Sequence, residues 1–129
     1  MKIILGTAHL KSTPGKCSPD GRLKEYKYSR EIVQDIKIIL ESMGYEVYVD
    51  IPEDDIKGIT SSQELVRRVK FVNELCSKYG AGNCLYVSIH VNAAGADGKW
   101  HTGTGWEAYT TKGKTNSDIL ATFLYKRAE

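Results

Sequence analysis

The sequence predicts an α/β domain with three layers, in which a mostly parallel, twisted central sheet is covered by helices on both faces. Short apolar segments rich in β-branched residues alternate along the chain with longer segments of helical periodicity. Parallel strands need crossover connections of this kind, and helices usually supply them. At 129 residues, the whole chain is predicted to form one domain, without an internal repeat or a linker.

The first half of the chain supplies two strands and a helix. Lys2–Thr7 is a short apolar run and is predicted to be a buried first strand. Residues 10–24 contain several turn-forming pairs and form a loop. From Glu25 to Met43, apolar residues recur at steps of three and four, which is typical of a helix with one buried face. Tyr45–Ile51 is rich in aromatic and β-branched residues and is predicted to be the second strand.

The second half continues the alternation. Ser61 or Ser62 is predicted to cap a second helix that ends near Gly80. The pattern then predicts a third strand over Cys84–His90, a fourth over Trp106–Thr110 and a last helix over Asn116–Lys126. The buried face of the second helix is expected to include these apolar residues: Leu65, Val69, Val72, Leu75 and Cys76.

Composition excludes several classes of protein. The net charge of +2 by itself argues neither for nor against nucleic acid or an anionic wall polymer. No run of Lys and Arg is typical of a nucleic-acid-binding surface, so no nucleic-acid partner is predicted. The N-terminal apolar stretch is three residues long, which is too short for a signal peptide or a membrane span. We therefore expect synthesis in the cytoplasm without a visible export signal. Cys17, Cys76 and Cys84 are odd in number and form no CxxC pair, so neither a disulfide framework nor a cysteine zinc site is expected.

Two histidines and a glutamate are predicted to meet at one edge of the sheet. His9 follows the first strand, and His90 ends the third. Ligands of open α/β sheets bind outside the carboxyl ends of the strands. Glu25 opens the first helix and is expected to point at the same edge. Two imidazoles and one carboxylate are a known catalytic zinc set, because the open fourth position accepts a water molecule that the metal activates.

Each of these residues also has a simpler explanation. His9 in a polar loop is often solvated or capping, and Glu25 at a helix start interacts favourably with the helix dipole. His90 at the end of an apolar strand needs a polar partner of some kind. His101 lies in a glycine-rich loop and is expected at the surface. From spacing alone, a small-molecule α/β protein with unrelated structural histidines stays open beside a metal site.

Several segments resemble a known family. These are ILGTAHLKSTPG, GRLKEYKYSREIV and VSIHVNAA, which begin at Ile4, Gly21 and Val87. GTGWEAYTT from Gly103 is similar to a further motif, and Leu65, Arg68 and Asn73 give a weaker match. They are similar to motifs of the zinc-dependent N-acetylmuramoyl-L-alanine amidases of the Amidase_3 type, which occur in bacterial autolysins and phage endolysins. The likeness spans nearly all of the chain, and the His90 motif is its most specific part.

The resemblance implies a function and a site. It implies hydrolysis of the amide bond between N-acetylmuramic acid and L-alanine, with peptidoglycan as the partner and Zn²⁺ as the cofactor. By the same resemblance His9, Glu25 and His90 are the zinc ligands, and Asn92 is a supporting or substrate-binding group. The protein is then expected to act on the cell wall, either by phage-type release or after removal of an export segment.

The chain also departs from the family pattern. Leu10 and Lys11 stand where the family has glycines. Family members have a further strand that carries a glutamate general base, and no segment here matches it, so we expect that residue beyond Glu129 and weak activity of this chain alone. The missing strand leaves an open sheet edge, which suggests a homo-oligomer. Alternatives are a zinc-containing wall-binding module without catalysis and a zinc peptidase acting on stem-peptide bonds.

Overall fold

The computed structural model describes residues 1–128 and divides the chain into two compact units. The first unit comprises residues 1–92 and 96–100. The second comprises residues 93–95 and the chain from His101 onward. That the chain forms one domain stays a prediction. Within the described residues, no helix combines the length and the apolar character that crossing a membrane requires.

The first unit contains a parallel sheet of three strands. They are β1 (Lys2–Gly6), β2 (Glu46–Val49) and β3 (Cys84–Ser88), in the order β2-β1-β3. β1 lies in the centre, and Ile3 is opposite Val47 on one side and Leu85 on the other. The predicted α/β class with a parallel sheet is confirmed. The carboxyl ends of β1 and β3 are neighbours, which is the arrangement that the predicted site requires.

The described residues form three helices. α1 spans Glu25–Ser42, α2 spans Ser61–Tyr79 and α3 spans Asn116–Ala128. A single 3₁₀ turn, Ala81–Asn83, connects α2 to β3. All three helices lie where the hydrophobic periodicity predicts them, to within about two residues at each end. α3 belongs to the second unit, where Asp118 accepts hydrogen bonds from Thr110 and Thr115 near its start.

The two helices of the first unit cover opposite faces of the sheet. Val33 of α1 packs in the core with Leu5, on the face that odd-numbered residues of β1 present. Ile4 points to the other face and is fully buried. On that face Tyr79 of α2 and Tyr48 of β2 bring their hydroxyl groups to 2.8 Å. Helix, sheet and helix therefore form the three predicted layers.

The start of α2 differs from the prediction of a Ser61 or Ser62 cap. Thr60 is the N-cap: its hydroxyl accepts from the Gln63 backbone N–H at 3.2 Å, and its own N–H donates to the Gln63 side chain at 2.8 Å. This reciprocal pair is a capping box. Glu64, which stands three residues after Ser61, is buried against an arginine and is not available for the equivalent role.

The predicted buried face of α2 is partly wrong. Leu65 and Val69 are 62% and 50% exposed, whereas Glu64 and Arg68 are buried. The helix is turned so that the charged pair reaches polar partners at the end of the sheet, and a sequence pattern based on hydrophobicity cannot anticipate that. The remaining residues of the predicted face are partly buried, namely Val72, Leu75 and Cys76.

The predicted fourth strand is also wrong. Trp106–Thr110 has no regular secondary structure, and Trp106 and Tyr109 are 66% and 80% exposed. Its aromatic residues and threonine are of types that are enriched in strands. A strand forms only where it finds a pairing partner and a surface to cover, and neither requirement can be read from the segment itself.

A buried ionic cluster fixes the carboxyl ends of all three strands on the α2 face. The Arg68 guanidinium donates to Asp50 at 2.7 Å, to Glu64 at 2.7 Å and to the Thr7 hydroxyl at 3.2 Å. The Tyr86 hydroxyl donates to the same Asp50 carboxylate at 3.0 Å. Burial alone would lower the pKa of Arg68, but its two carboxylate partners outweigh burial and raise it. The cluster thus holds a fixed positive charge between two buried negative ones.

Gly6 makes room for this cluster at the end of β1. A Cβ atom there would overlap the ring and hydroxyl of Tyr86 and the hydroxyl of Ser88, 2.8 Å away. Because the Tyr86 hydroxyl is tied to Asp50, it cannot move aside without losing that bond. The close approach of β1 and β3 at this point therefore requires glycine.

We expect Arg68→Met to lower the free energy of unfolding by about 3–5 kcal/mol, because two carboxylates would stay buried without their cation. Arg67→Met is the matched control. Arg67 is half exposed and lies 3.6 Å from Glu53 in a surface ion pair, so its loss should cost less than about 1 kcal/mol. Urea unfolding followed by circular dichroism measures both. Equal costs for the two variants would contradict a stabilising role for the cluster.

Candidate metal site

His9 lies three residues after the end of β1 and has an unusual backbone conformation. It follows β1 after Thr7 and Ala8, and its φ of 41° is the single positive value among the non-glycine residues 1–128. The left-handed region is uncommon for residues with a side chain and costs on the order of 1 kcal/mol or more. This conformation brings His9 Nε2 to 3.6 Å from the Glu25 carboxylate.

Glu25 is the buried centre of the site. It is the first residue of α1, as predicted, and only 7% of its surface is exposed. One carboxylate oxygen accepts the backbone N–H of Val91 at 3.1 Å and lies 3.0 Å from His90 Nδ1. The other oxygen faces His9. The helix N-terminus adds a favourable partial positive charge.

His90 follows β3, which ends two residues earlier than predicted, at Ser88. Its side chain is 50% exposed, against 24% for His9. The two imidazoles meet edge to face, with ring centroids 5.2 Å apart and planes at 85°. The outer side of the site is therefore open to solvent, while its inner side is closed by the start of α1.

Three predicted residues, far apart in sequence, thus converge. His9, Glu25 and His90 each present one potential ligand atom, and these atoms all lie within 4.8 Å of one another. Ligands about 2.0–2.2 Å from a tetrahedral zinc ion lie roughly 3.3 Å apart. The two histidines lie 3.6 and 3.0 Å from different oxygens of Glu25. The cluster therefore has the residue types of a His₂Glu metal site, with its potential ligand atoms close together.

Electrostatics favour the protonation states that bind a metal. Burial lowers the pKa of His9 below its ordinary value, opposed by the Glu25 carboxylate and assisted by the charge of Lys16. Burial alone would raise the pKa of Glu25. The bonds from His90 and Val91 and the charge of His9 outweigh burial, so the pKa of that carboxyl lies below its ordinary value. A neutral imidazole and an ionised carboxylate are the ligand forms.

The two other residues singled out in the sequence, Asn92 and His101, lie at the surface. Asn92 follows His90 by two residues and is exposed on the same segment. His101 belongs to the second unit and is exposed, as expected for a surface histidine.

Sequence reasoning missed the residues that hold the His9 segment in place. Ser29 is fully buried, and its hydroxyl accepts the Ala8 N–H at 2.9 Å. The Arg30 guanidinium donates to the Ala8 carbonyl at 3.1 Å. One signal was available: Ser29 lies four residues after Glu25 and four before Val33, on the inward face of α1, where a polar residue needs a specific partner.

Comparison with known proteins adds a family and a structural relative. Residues 3–129 match the family profile Amidase_3, described as N-acetylmuramoyl-L-alanine amidase. Among solved structures, the chain is similar to the CwlD amidase from Clostridioides difficile, determined in complex with the GerS lipoprotein. Identity is 28% and the TM-score is 0.56, over 71% of this chain and 48% of that one. The chain therefore spans about half of that protein's length. No curated protein sequence gives a significant match.

Proposed function

The chain belongs to the N-acetylmuramoyl-L-alanine amidase family, and on that premise we propose that the protein is a zinc-dependent hydrolase of the bond between N-acetylmuramic acid and L-alanine in peptidoglycan. The observation that carries this proposal is the convergence of His9, Glu25 and His90 within ligand distance of one another. The proposed place of action is the cell wall.

The three residues fit zinc better than a harder cation. Two imidazole nitrogens and one carboxylate suit zinc, whereas magnesium and calcium prefer oxygen ligands alone. A bound zinc ion supplies positive charge that acidifies a water molecule and polarises an amide carbonyl. The two oxygens of Glu25 face the two rings, and the carboxylate supplies one negative charge. Its burial at the start of α1 keeps that charge fixed and shielded from bulk solvent.

The open side of the cluster suits a polymeric substrate. His90 is half exposed, so a wall polymer can approach the site without a channel. Asn92 stands next to this opening in the chain and has an amide that donates and accepts hydrogen bonds. We propose that it binds an amide or carbonyl group of the substrate.

Proton transfer needs a further group. One oxygen of Glu25 accepts from Val91 and lies 3.0 Å from His90, and the other lies 3.6 Å from His9. A carboxylate that serves as a zinc ligand is a poor general base, because the metal would hold its lone pair and its pKa already lies below the ordinary value. The proposed general base is therefore a carboxylate that lies beyond Glu129, as the resemblance implies.

The need for a general base beyond these three residues leaves room for a second function. If no carboxylate completes the site, the protein would bind zinc and the cell wall without hydrolysing it. A peptidase acting on stem-peptide bonds would use the same metal ligands and is distinguished by its products alone.

We expect the protein, purified without chelators, to contain about one zinc per chain. His90→Ala should weaken zinc affinity by on the order of hundredfold or more, because even residues that only support a ligand change it by about 10–100-fold. His101→Ala, in the second unit, is the matched control and should leave affinity unchanged. Competition with a chromophoric chelator measures both. Zinc affinity that is insensitive to His90→Ala would remove the ligand assignment.

We expect a chain extended through its natural reading frame to release peptides with N-terminal L-alanine from purified peptidoglycan. The 129-residue chain should be slower by roughly 10²–10⁴-fold, the usual contribution of a general base. Asn92→Ala in the extended chain should raise KM. Mass spectrometry identifies the new termini. Equal rates for the two chains would contradict a base beyond Glu129, binding without product would favour the wall-binding function, and other termini would indicate a peptidase.

We propose that the protein forms a homo-oligomer through the exposed edge of β3. In the described residues β3 pairs only with β1, so its other edge offers unpaired backbone groups. Light scattering coupled to size-exclusion chromatography measures the mass. A mass near 28.8 kDa, twice the 14.4 kDa of the chain, is expected for a dimer, and a monomer at high concentration would contradict it.

A further inference from the structure

The conformation of His9 needs an external support. A non-glycine residue with a φ of 41° persists only where the surrounding structure determines it. The strain lies at a predicted metal ligand, and the peptide units on either side of it must be held firmly. The contacts of Ala8, the residue before His9, show how this is done.

Both backbone polar groups of Ala8 form hydrogen bonds with side chains of α1. Its N–H donates to the Ser29 hydroxyl at 2.9 Å, and its carbonyl accepts from the Arg30 guanidinium at 3.1 Å. Ala8 and Ser29 are both fully buried. The Ser29 hydroxyl also donates to the Tyr26 carbonyl at 3.2 Å, so it is fixed by a donor and an acceptor at once. The bond between Ala8 and Ser29 is therefore closed to competing water.

The helix that grips Ala8 also carries Glu25. Ser29 stands four residues after Glu25, so the two side chains lie on the same face one turn apart. The helix thus connects the carboxylate to the His9 segment through a single rigid element. We infer that Ser29 is a positioning residue, which sets the separation of His9 and Glu25 for metal binding. This inference rests on the proposed ligand set.

Other hydrogen bonds near His9 connect its segment to a different part of the chain. Thr7 is held by Asp50, and the Lys11 N–H donates to the Asp54 carbonyl at 2.8 Å. These contacts join the segment to the chain that follows β2. They do not involve the helix that bears Glu25, and their loss would not change the distance between His9 and Glu25 so directly. Ser29 alone connects the N–H before His9 to that helix.

The test compares Ser29→Ala with Thr60→Ala. The first removes the hydroxyl that holds Ala8, and the second removes the capping hydroxyl of α2, away from α1. Zinc affinity is measured by chelator competition, coordination geometry by the visible spectrum of the cobalt-substituted protein, and stability of the metal-free protein by urea unfolding. Both variants should lose stability, which provides the structural control.

Ser29→Ala should lower zinc affinity by about 10–100-fold, as is typical of residues that orient a ligand, and should alter the cobalt spectrum. Thr60→Ala should change neither. Zinc affinity within about twofold of wild type and an unchanged cobalt spectrum in Ser29→Ala would overturn the inference while the ligand set stands. A wild-type protein that binds no zinc would overturn both proposals.

Arg30→Lys provides a second variant if Ser29→Ala does not fold. The lysine keeps the charge, but a single ammonium group cannot span the Ala8 and Glu53 carbonyls that the guanidinium reaches. The same zinc and cobalt measurements apply. A weakened zinc affinity with an altered cobalt spectrum would support the positioning of His9 through Ala8. An unchanged zinc affinity and cobalt spectrum would overturn that positioning role.

Discussion

The carboxylate of Glu25, buried at the start of α1 and shared between two imidazoles, is the interaction on which the site depends. A buried charge is tolerated only when it is fully paired, and here the partners come from two separate loops, after β1 and after β3. The sheet order β2-β1-β3 makes these loops neighbours. The crossover that leaves β1 returns as α1, so that its first residue faces the same edge.

Two polar clusters, on opposite faces of the sheet, hold this edge in shape. On the α2 face Arg68 and Asp50 fix Thr7, and on the α1 face Ser29 and Arg30 fix the next residue, Ala8. The two residues immediately before His9 are thus hydrogen-bonded from opposite faces of the sheet. Buried ionic groups contribute less to net stability than their short distances suggest, because desolvation opposes them. Their main effect here is to specify one conformation of the segment that carries the strained histidine.

Much of this could be predicted from the sequence because the signals were local. Lys2–Gly6 and α1 lie where apolar periodicity placed them, and His9 and Glu25 follow from those boundaries. The errors arose where distant residues decide the outcome. Leu65 is exposed because α2 turns Arg68 inward, and Trp106–Thr110 forms no strand because strand formation depends on a partner. The left-handed backbone of His9 has no sequence pattern of its own, and Ser29 is marked only by its place on the inward face of α1.

The family and the geometry support each other from independent directions. The family profile covers nearly all of the chain, while the spacing of His9, Glu25 and His90 follows from the fold alone. The most direct test of the account is an anomalous diffraction map from crystals grown with zinc. The account predicts one strong peak about 2.0–2.2 Å from a ring nitrogen of each histidine and from the Glu25 carboxylate. A peak bound by other residues, or no peak between these three in zinc-containing crystals, would contradict it.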